Sequence, residues 1–150
     1  MKRLQELYKE LILDHNKNPQ NFYKMKNATQ QLKGFNPLCG DQITIYLKIN
    51  KKNIKDISFQ GSGCAISKAS ASLMTLTLKG KTKTEIKKIF KEFEQLIKNG
   101  QGPSSLGKLL SFAGLHKFPS RFKCAFLAWS TLAELLQIKL KNKSFPKNYD

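Results

Sequence analysis

Residues 43–78 read ITIYLKINKKNIKDISFQGSGCAISKASASLMTLTL, and their apolar pattern changes period halfway along. Every second residue over 43–49 is a branched apolar residue, which is the pattern of a half-buried β-strand. The alternation resumes over 57–59 after a lysine- and asparagine-rich turn. Beyond Gly61-Ser62-Gly63 the apolar residues fall at helical spacing instead, so a helix is predicted to begin at or next to Cys64.

The flanking segments add one helix before this region and three after it. The first helix is predicted by an apolar stripe at helical spacing, formed by Leu4, Leu7, Tyr8, Leu11 and Ile12. A short segment near 28–35 is expected to pair as a third strand. Later helices are predicted over 86–97, 106–113 and 124–136. Strands followed by helices indicate an α+β fold, with a small antiparallel sheet of about three strands and helices packed on one face.

The composition describes one globular domain with a lysine-rich surface. The chain has 150 residues, 40% of them hydrophobic, and no repeat or domain boundary is evident. We therefore expect a single domain over 1–150 with a polar tail at about 139–150. No run approaches the roughly 20 apolar residues that span a bilayer. The N-terminus lacks a signal-peptide pattern, which predicts a cytoplasmic location.

The net charge is +17, from 27 Lys plus Arg against 10 Asp plus Glu. Such an excess could attract nucleic acid, and a lysine-driven nucleic-acid binding module is one hypothesis. However, Arg3 and Arg121 are the only arginines, and the basic residues do not alternate with aromatic ones. Both features argue against recognition of bases or of single strands. An excess of lysine also follows from codon bias without any functional demand.

Three cysteines lie at predicted ends of elements. Cys39 and Asp41 flank Gly40 in a turn, Cys64 opens a helix, and Cys124 falls in the first turns of the last helix. A helix N-terminus favours a thiolate. Three cysteines and one aspartate form a complete tetrahedral ligand set for zinc. Spacing alone also allows three small buried core residues, because the chain contains no C-x-x-C.

The two histidines do not suggest an active site. His15 lies at the end of the first predicted helix, where an imidazole can bond the last carbonyls, and His116 lies in a loop. The chain contains no G-x-S-x-G nucleophile motif. The Gly61-Ser62-Gly63 segment lacks the lysine and hydroxyl residue of a phosphate-binding loop.

Four blocks of sequence resemble the SufU branch of the IscU/NifU-like iron-sulfur assembly proteins. The blocks are LYKELILDHNKNPQN (7–21), NPLCGD (36–41), GSGCAISKASASLM (61–74) and RFKCAFLAW (121–129). The resemblance implies a compact α+β fold with metal ligands at Cys39, Asp41, Cys64 and Cys124. Lys123 stands where the IscU type has a histidine, which points to the SufU side. The segment around Gly100-Gln101-Gly102-Pro103 resembles the insertion that marks SufU proteins.

The same resemblance implies a function in iron-sulfur cluster biogenesis. SufU-like proteins are zinc-dependent sulfurtransferases, which accept persulfide sulfur from a pyridoxal-phosphate cysteine desulfurase of the SufS type. The sulfur then passes to a downstream iron-sulfur scaffold. Cys39 is the expected acceptor thiol because it lies on a glycine-flanked turn, and Arg121 is expected to balance thiolate charge. The alternative is a scaffold that assembles a labile [2Fe-2S] cluster on the same ligands, since thiolates suit both metals.

Overall fold

A computed structural model describes residues 4–37 and 40–138. The α-helices are α1 (Leu4–Lys17), α2 (Ala65–Leu78), α3 (Lys83–Asn99) and α4 (Phe122–Leu135), and the strands are β1 (Gln30–Asn36), β2 (Asp41–Asn50) and β3 (Asn53–Ser62). Two 3₁₀ segments, Ser104–Lys117 and Pro119–Arg121, connect α3 to α4. The predicted α+β class is confirmed. The predictions for Cys39 and for the tail at 139–150 fall outside the described residues.

The sheet is antiparallel in the order β1-β2-β3. Its central strand pairs Ile45 with Leu32 on one side and with Phe59 on the other. β3 continues through Gly61 and Ser62, so only Gly63 of the predicted glycine-serine-glycine turn lies between strand and helix. Gly61 is needed within the strand because a Cβ there would lie 2.0 Å from the carbonyl oxygen of Gln42.

Helices α2 and α4 pack against each other and against the sheet, so that α2 contacts β3 while α4 contacts β1 and β2. Trp129 of α4 is fully buried and stacks on Phe93 of α3, with ring centroids 4.3 Å apart. Its indole N–H donates to the Ser70 hydroxyl of α2 at 3.0 Å, and Ser70 donates in turn to the carbonyl of Ala125. These contacts fix the position of α4 relative to α2. Among the described residues, no helix is long and apolar enough to cross a bilayer.

The short helix predicted over 106–113 is present as part of a longer segment whose geometry is 3₁₀. It is a 3₁₀ segment broken at Gly107, whose φ of 58° and ψ of −126° are not helical. Its apolar side chains Leu106, Leu109 and Phe112 are buried. Phe112 meets the ring of Phe93 edge-on at 5.9 Å. Packing of these side chains therefore stabilises the 3₁₀ segment. The spacing of its apolar residues alone does not distinguish a 3₁₀ helix from an α-helix.

His15 joins α1 to α2 rather than capping its own helix. The ring is 4% exposed, and its Nδ1 lies 2.6 Å from the hydroxyl oxygen of Ser72. The backbone N–H of Gln20 donates to the same hydroxyl at 2.8 Å. Burial lowers the pKa of His15, with the Lys108 cation acting in the same direction and the Asp14 carboxylate opposing it.

We expect this buried imidazole to make the fold sensitive to mild acid. The pKa of His15 is lower in the folded chain than in the unfolded one, so the unfolded chain binds more protons in the window between the two values. The free energy of unfolding should therefore decrease as the pH falls through about 6.5, the ordinary histidine pKa, toward the lower value of the folded state. Urea titrations between pH 7.5 and 5.5 measure this.

The variant His15→Gln should show a flatter dependence of stability on pH over that range. The same change at the second histidine, His116→Gln, is the matched control and should leave the parent's slope in place. An unchanged slope in His15→Gln would contradict the assignment of the acid sensitivity to this contact.

Candidate metal centre

Three of the four predicted ligand residues converge at one end of the sheet. Asp41 is the first residue of β2, Cys64 is the N-cap of α2, and Cys124 lies in the first turn of α4. One carboxylate oxygen and the two sulfur atoms lie within 4.8 Å of one another. Asp41 and Cys124 are buried, whereas Cys64 is partly exposed. The fourth predicted ligand, Cys39, is outside the described part of the chain.

Hydrogen bonds to the first turn of α2 place Asp41 and Cys64. The backbone N–H of Cys64 donates to Asp41 Oδ1 at 2.7 Å, and the Cys64 sulfur accepts the N–H of Ser67 at 3.5 Å. The first N–H groups of a helix have no partner within it, so a buried helix start requires acceptors from elsewhere. Asp41 and Cys64 supply two of them.

Ser67 contacts both neighbouring ligand residues. Its hydroxyl lies 2.7 Å from Asp41 Oδ2 and 2.9 Å from the backbone carbonyl oxygen of Cys124. Ser67 was not among the site residues predicted from the sequence. The signal was nevertheless present, because Ser67 stands three residues after Cys64, at the position whose N–H a helix N-cap accepts.

Gly63 allows Asp41 to approach the backbone. Its φ of +154° lies in a region that favours glycine, and a Cβ there would be 2.3 Å from Asp41 Oδ1. The carboxylate therefore occupies the space that a side chain at position 63 would fill.

The electrostatics of the cluster favour a thiolate at Cys64. A hydrogen bond from the Cys124 thiol is the largest influence and, together with the N–H groups of Ser67 and Ile66, lowers the pKa of Cys64 to about 6. Burial and the charge of Asp41 act in the opposite direction. The Cys64 sulfur lies 3.7 Å from Asp41 Oδ2, so a thiolate there would face the carboxylate in a partly buried site. A cation between them would relieve this repulsion.

The distance between Cys64 and Asp41 fits a tetrahedral zinc ion. Zinc–sulfur and zinc–oxygen bonds of about 2.3 and 2.0 Å place a sulfur and an oxygen ligand about 3.5 Å apart, and two sulfur ligands about 3.8 Å apart. The 3.7 Å between Cys64 Sγ and Asp41 Oδ2 is close to the first value. Two thiolates with one carboxylate also match the ligand types that zinc accepts. The residues present therefore fit the metal.

Cys64 opens onto a cavity of about 860 Å³ between α1, α2 and the 3₁₀ segment Ser104–Lys117. Ile66, Leu115 and Phe118 contribute apolar surface, and Arg121 and Lys117 contribute positive charge. Tyr8 also lines it, and burial raises the pKa of Tyr8 to about 12, with the Arg121 charge opposing and the two thiols adding to the shift. Arg121, predicted to balance thiolate charge, is thus near the cluster, on the wall of the same cavity.

The chain matches the family model of the NifU-like N terminal domain over residues 7–125. The chain belongs to this family. Its relatives include the iron-sulfur cluster assembly scaffold protein IscU of Streptococcus pyogenes, which is 35% identical over 139 residues, covering 91% of this chain and 87% of that one. In this chain, Asp41, Cys64 and Cys124 lie inside three of the four sequence blocks that resemble the family.

Two further relatives are of the SufU type. The zinc-dependent sulfurtransferase SufU of Bacillus subtilis is 40% identical over 132 residues, covering 86% of this chain and 88% of its own length. The crystal structure of FiSufU, from the thermophile Fervidobacterium islandicum AW-1, superposes with a TM-score of 0.80 at 34% identity. That match covers 87% of this chain and 96% of FiSufU. The predicted membership in the family is confirmed by sequence and by fold.

We expect Gly63→Ala to disturb the centre, because its Cβ would occupy the position of the Asp41 carboxylate. The free energy of unfolding should decrease by about 1–3 kcal/mol, and zinc binding should weaken with it. Gly114→Ala is the matched control, since a Cβ there meets nothing within 4 Å. It should change stability by no more than about 0.5 kcal/mol. Equal stability and equal zinc affinity in the two variants would contradict the proposed crowding at Gly63.

Proposed function

We propose that this protein is a zinc-dependent sulfur acceptor and carrier in iron-sulfur cluster biogenesis. The observation that carries the proposal is the convergence of Asp41, Cys64 and Cys124, whose ligand atoms lie within 4.8 Å of one another. Cys39 is proposed as the fourth ligand and as the acceptor thiol. A relative named as a zinc-dependent sulfurtransferase, at 40% identity over most of both chains, supports this function.

The metal, when bound, would hold its thiolate ligands deprotonated at neutral pH without oxidising or reducing them. The chain's own residues stabilise two of the proposed ligands, one thiolate and one carboxylate. The N–H of Ser67 and the start of α2 stabilise negative charge on Cys64, and the N–H of Cys64 fixes the Asp41 carboxylate.

The proposed transfer is a thiol–persulfide exchange. The thiolate of Cys39 attacks the outer sulfur of the partner's cysteine persulfide, a new sulfur–sulfur bond forms on Cys39, and the bond within the partner's persulfide breaks. The partner's cysteine leaves as a thiolate, so no net oxidation or reduction occurs. Support for Cys39 as acceptor comes from the state of the other two cysteines. Cys124 is only 3% exposed, and the Cys64 sulfur is engaged as the N-cap acceptor.

The proposed partners are a SufS-like pyridoxal-phosphate cysteine desulfurase and a downstream iron-sulfur scaffold. The cavity beside Cys64 offers the persulfide a route to the cluster, and Arg121 on its wall supplies positive charge for the thiolate. We further propose that the 150 residues form one domain, since the described helices and strands share one apolar core. A cytoplasmic location agrees with Cys64 and Cys124 being thiols and not disulfide partners, since thiols persist in a reducing compartment.

A second candidate function is assembly of a [2Fe-2S] cluster on the same residues. The relative from Streptococcus pyogenes carries the name of a scaffold protein, and thiolates bind iron-sulfur clusters as well as zinc. Metal and acid-labile sulfide analysis of protein purified without oxygen separates the two functions. A colourless protein with one zinc supports sulfur transfer, whereas a brown protein with iron and sulfide supports the scaffold.

Removing one thiol ligand should release zinc. Cys64→Ala and Cys124→Ala should each weaken zinc binding by roughly 100-fold or more, beyond the 10–100-fold typical when only a neighbour of a ligand is lost. The parent's melting temperature should rise with added zinc, because the metal binds only the folded state, and both variants should lose this rise. Differential scanning calorimetry with and without zinc measures it. Full zinc occupancy in both variants would rule out the proposed ligand set.

The acceptor thiol can be identified chemically. After incubation with a cysteine desulfurase and cysteine, mass spectrometry of alkylated peptides should find the added sulfur on Cys39. Cys39→Ser should abolish stimulation of the desulfurase while keeping the parent's circular dichroism spectrum, whereas Ser62→Ala, a hydroxyl change near the cluster, should leave stimulation intact. Sulfur found mainly on Cys124, with Cys39→Ser still active, would refute the assignment.

A further inference from the structure

We propose that Ser67 is a positioning residue of the metal centre, which orients Asp41 as a ligand through a hydrogen bond to its Oδ2 atom. This inference rests on the proposed function, because it concerns the same zinc site. Ser67 itself supplies no ligand. Its hydroxyl lies 2.7 Å from Asp41 Oδ2 and its side chain is buried, at 2% exposure.

The hydroxyl proton of Ser67 has two acceptors within reach and can serve one of them fully. The candidates are Asp41 Oδ2 at 2.7 Å and the carbonyl oxygen of Cys124 at 2.9 Å. An ionised carboxylate is the stronger acceptor, and the shorter distance is also to Asp41. The proton is therefore assigned to the Asp41 bond.

The two oxygens of Asp41 are thus each bonded to the first turn of α2. Oδ1 accepts the N–H of Cys64 and Oδ2 accepts the hydroxyl of Ser67, so the carboxylate cannot rotate without breaking both bonds. Oδ2 is also the oxygen that lies 3.7 Å from the Cys64 sulfur. Ser67 therefore holds the oxygen that faces the Cys64 sulfur within the candidate ligand set.

Ser67→Ala removes the bond to Oδ2 and leaves the bond from the Cys64 N–H to Oδ1, so the carboxylate is held less firmly. Groups that hydrogen-bond to metal ligands typically contribute 10–100-fold to metal affinity by fixing the orientation of the ligand. A loss of that size is therefore expected in Ser67→Ala, even though all four proposed ligands are still present.

The test is a competition titration of zinc against a chelator of known affinity, using the full chain. Ser67→Ala should bind zinc 10–100-fold more weakly than the parent. Ser130→Ala is the matched control, because Ser130 is as buried as Ser67 and donates to the carbonyl of Leu127 within its own helix at 3.0 Å. It should keep the parent's zinc affinity to within about threefold. Melting curves without zinc establish that each variant is folded.

A double-mutant cycle with Asp41→Asn distinguishes positioning from a general loss of structure. If Ser67 acts through the Asp41 carboxylate, then Ser67→Ala should have less than about a threefold effect on zinc affinity in the Asp41→Asn background. The pair Ser67→Thr and Ser67→Val gives a second comparison at nearly constant shape. The Thr variant, which keeps the hydroxyl, should bind zinc at least tenfold more tightly than the Val variant, and this holds whether or not the Ala variant folds.

Equal zinc affinities for the parent and Ser67→Ala, or for the Thr and Val variants, would overturn the inference. An undiminished effect of Ser67→Ala in the Asp41→Asn background would also overturn it. In those cases the parent still binds zinc and the proposed function stands. A parent that binds no zinc would instead overturn the proposed function, together with this inference.

Discussion

The start of α2, whose first backbone N–H groups need hydrogen-bond acceptors, is the constraint around which this end of the molecule is arranged. The first turn of α2 lies between the sheet and α4, where backbone N–H groups without partners would be costly. Asp41 from β2 and the sulfur of Cys64 accept two of these groups. The same two residues belong to the candidate metal centre, where Oδ2 of Asp41 faces the Cys64 sulfur. Capping of the helix and assembly of the candidate metal centre are thus one arrangement.

The remainder of the fold keeps the third ligand residue in place. Cys124 is carried by α4, and α4 is fixed to α2 by the Ser70 hydroxyl, which donates to the carbonyl of Ala125 and accepts from the indole of Trp129. Removing that contact would let α4 shift along α2, and the sulfur of Cys124 would move with it. The buried packing around Trp129 therefore contributes to the position of Cys124 in the candidate centre. In this way residues from three separate elements can meet at the start of α2.

The sequence predicted features that depend on local periodicity and missed those that depend on tertiary contacts. The three strands, the four α-helices and the start of α2 at Cys64 follow from apolar spacing and glycine positions, and the structure agrees with them. The 3₁₀ geometry of Ser104–Lys117 was missed because its apolar residues also fit α-helical spacing. The role of His15 was misjudged because its partner, Ser72, lies 57 residues away in the sequence. Ser67 was overlooked because its partners Asp41 and Cys124 lie 26 and 57 residues away in the sequence, although its place three residues after Cys64 was visible.

Because the ligand residues also have structural partners, the centre differs from a metal site that forms only when the ion binds. A small zinc-dependent domain unfolds without its metal, since its ligands have no other interactions to hold them. Here Asp41 is bonded to Cys64 and Ser67, and Cys64 to Ser67, through hydrogen bonds that need no ion. A thiolate at Cys64 would face the Asp41 carboxylate, so a bound cation would add electrostatic stabilisation to a frame that these hydrogen bonds already build.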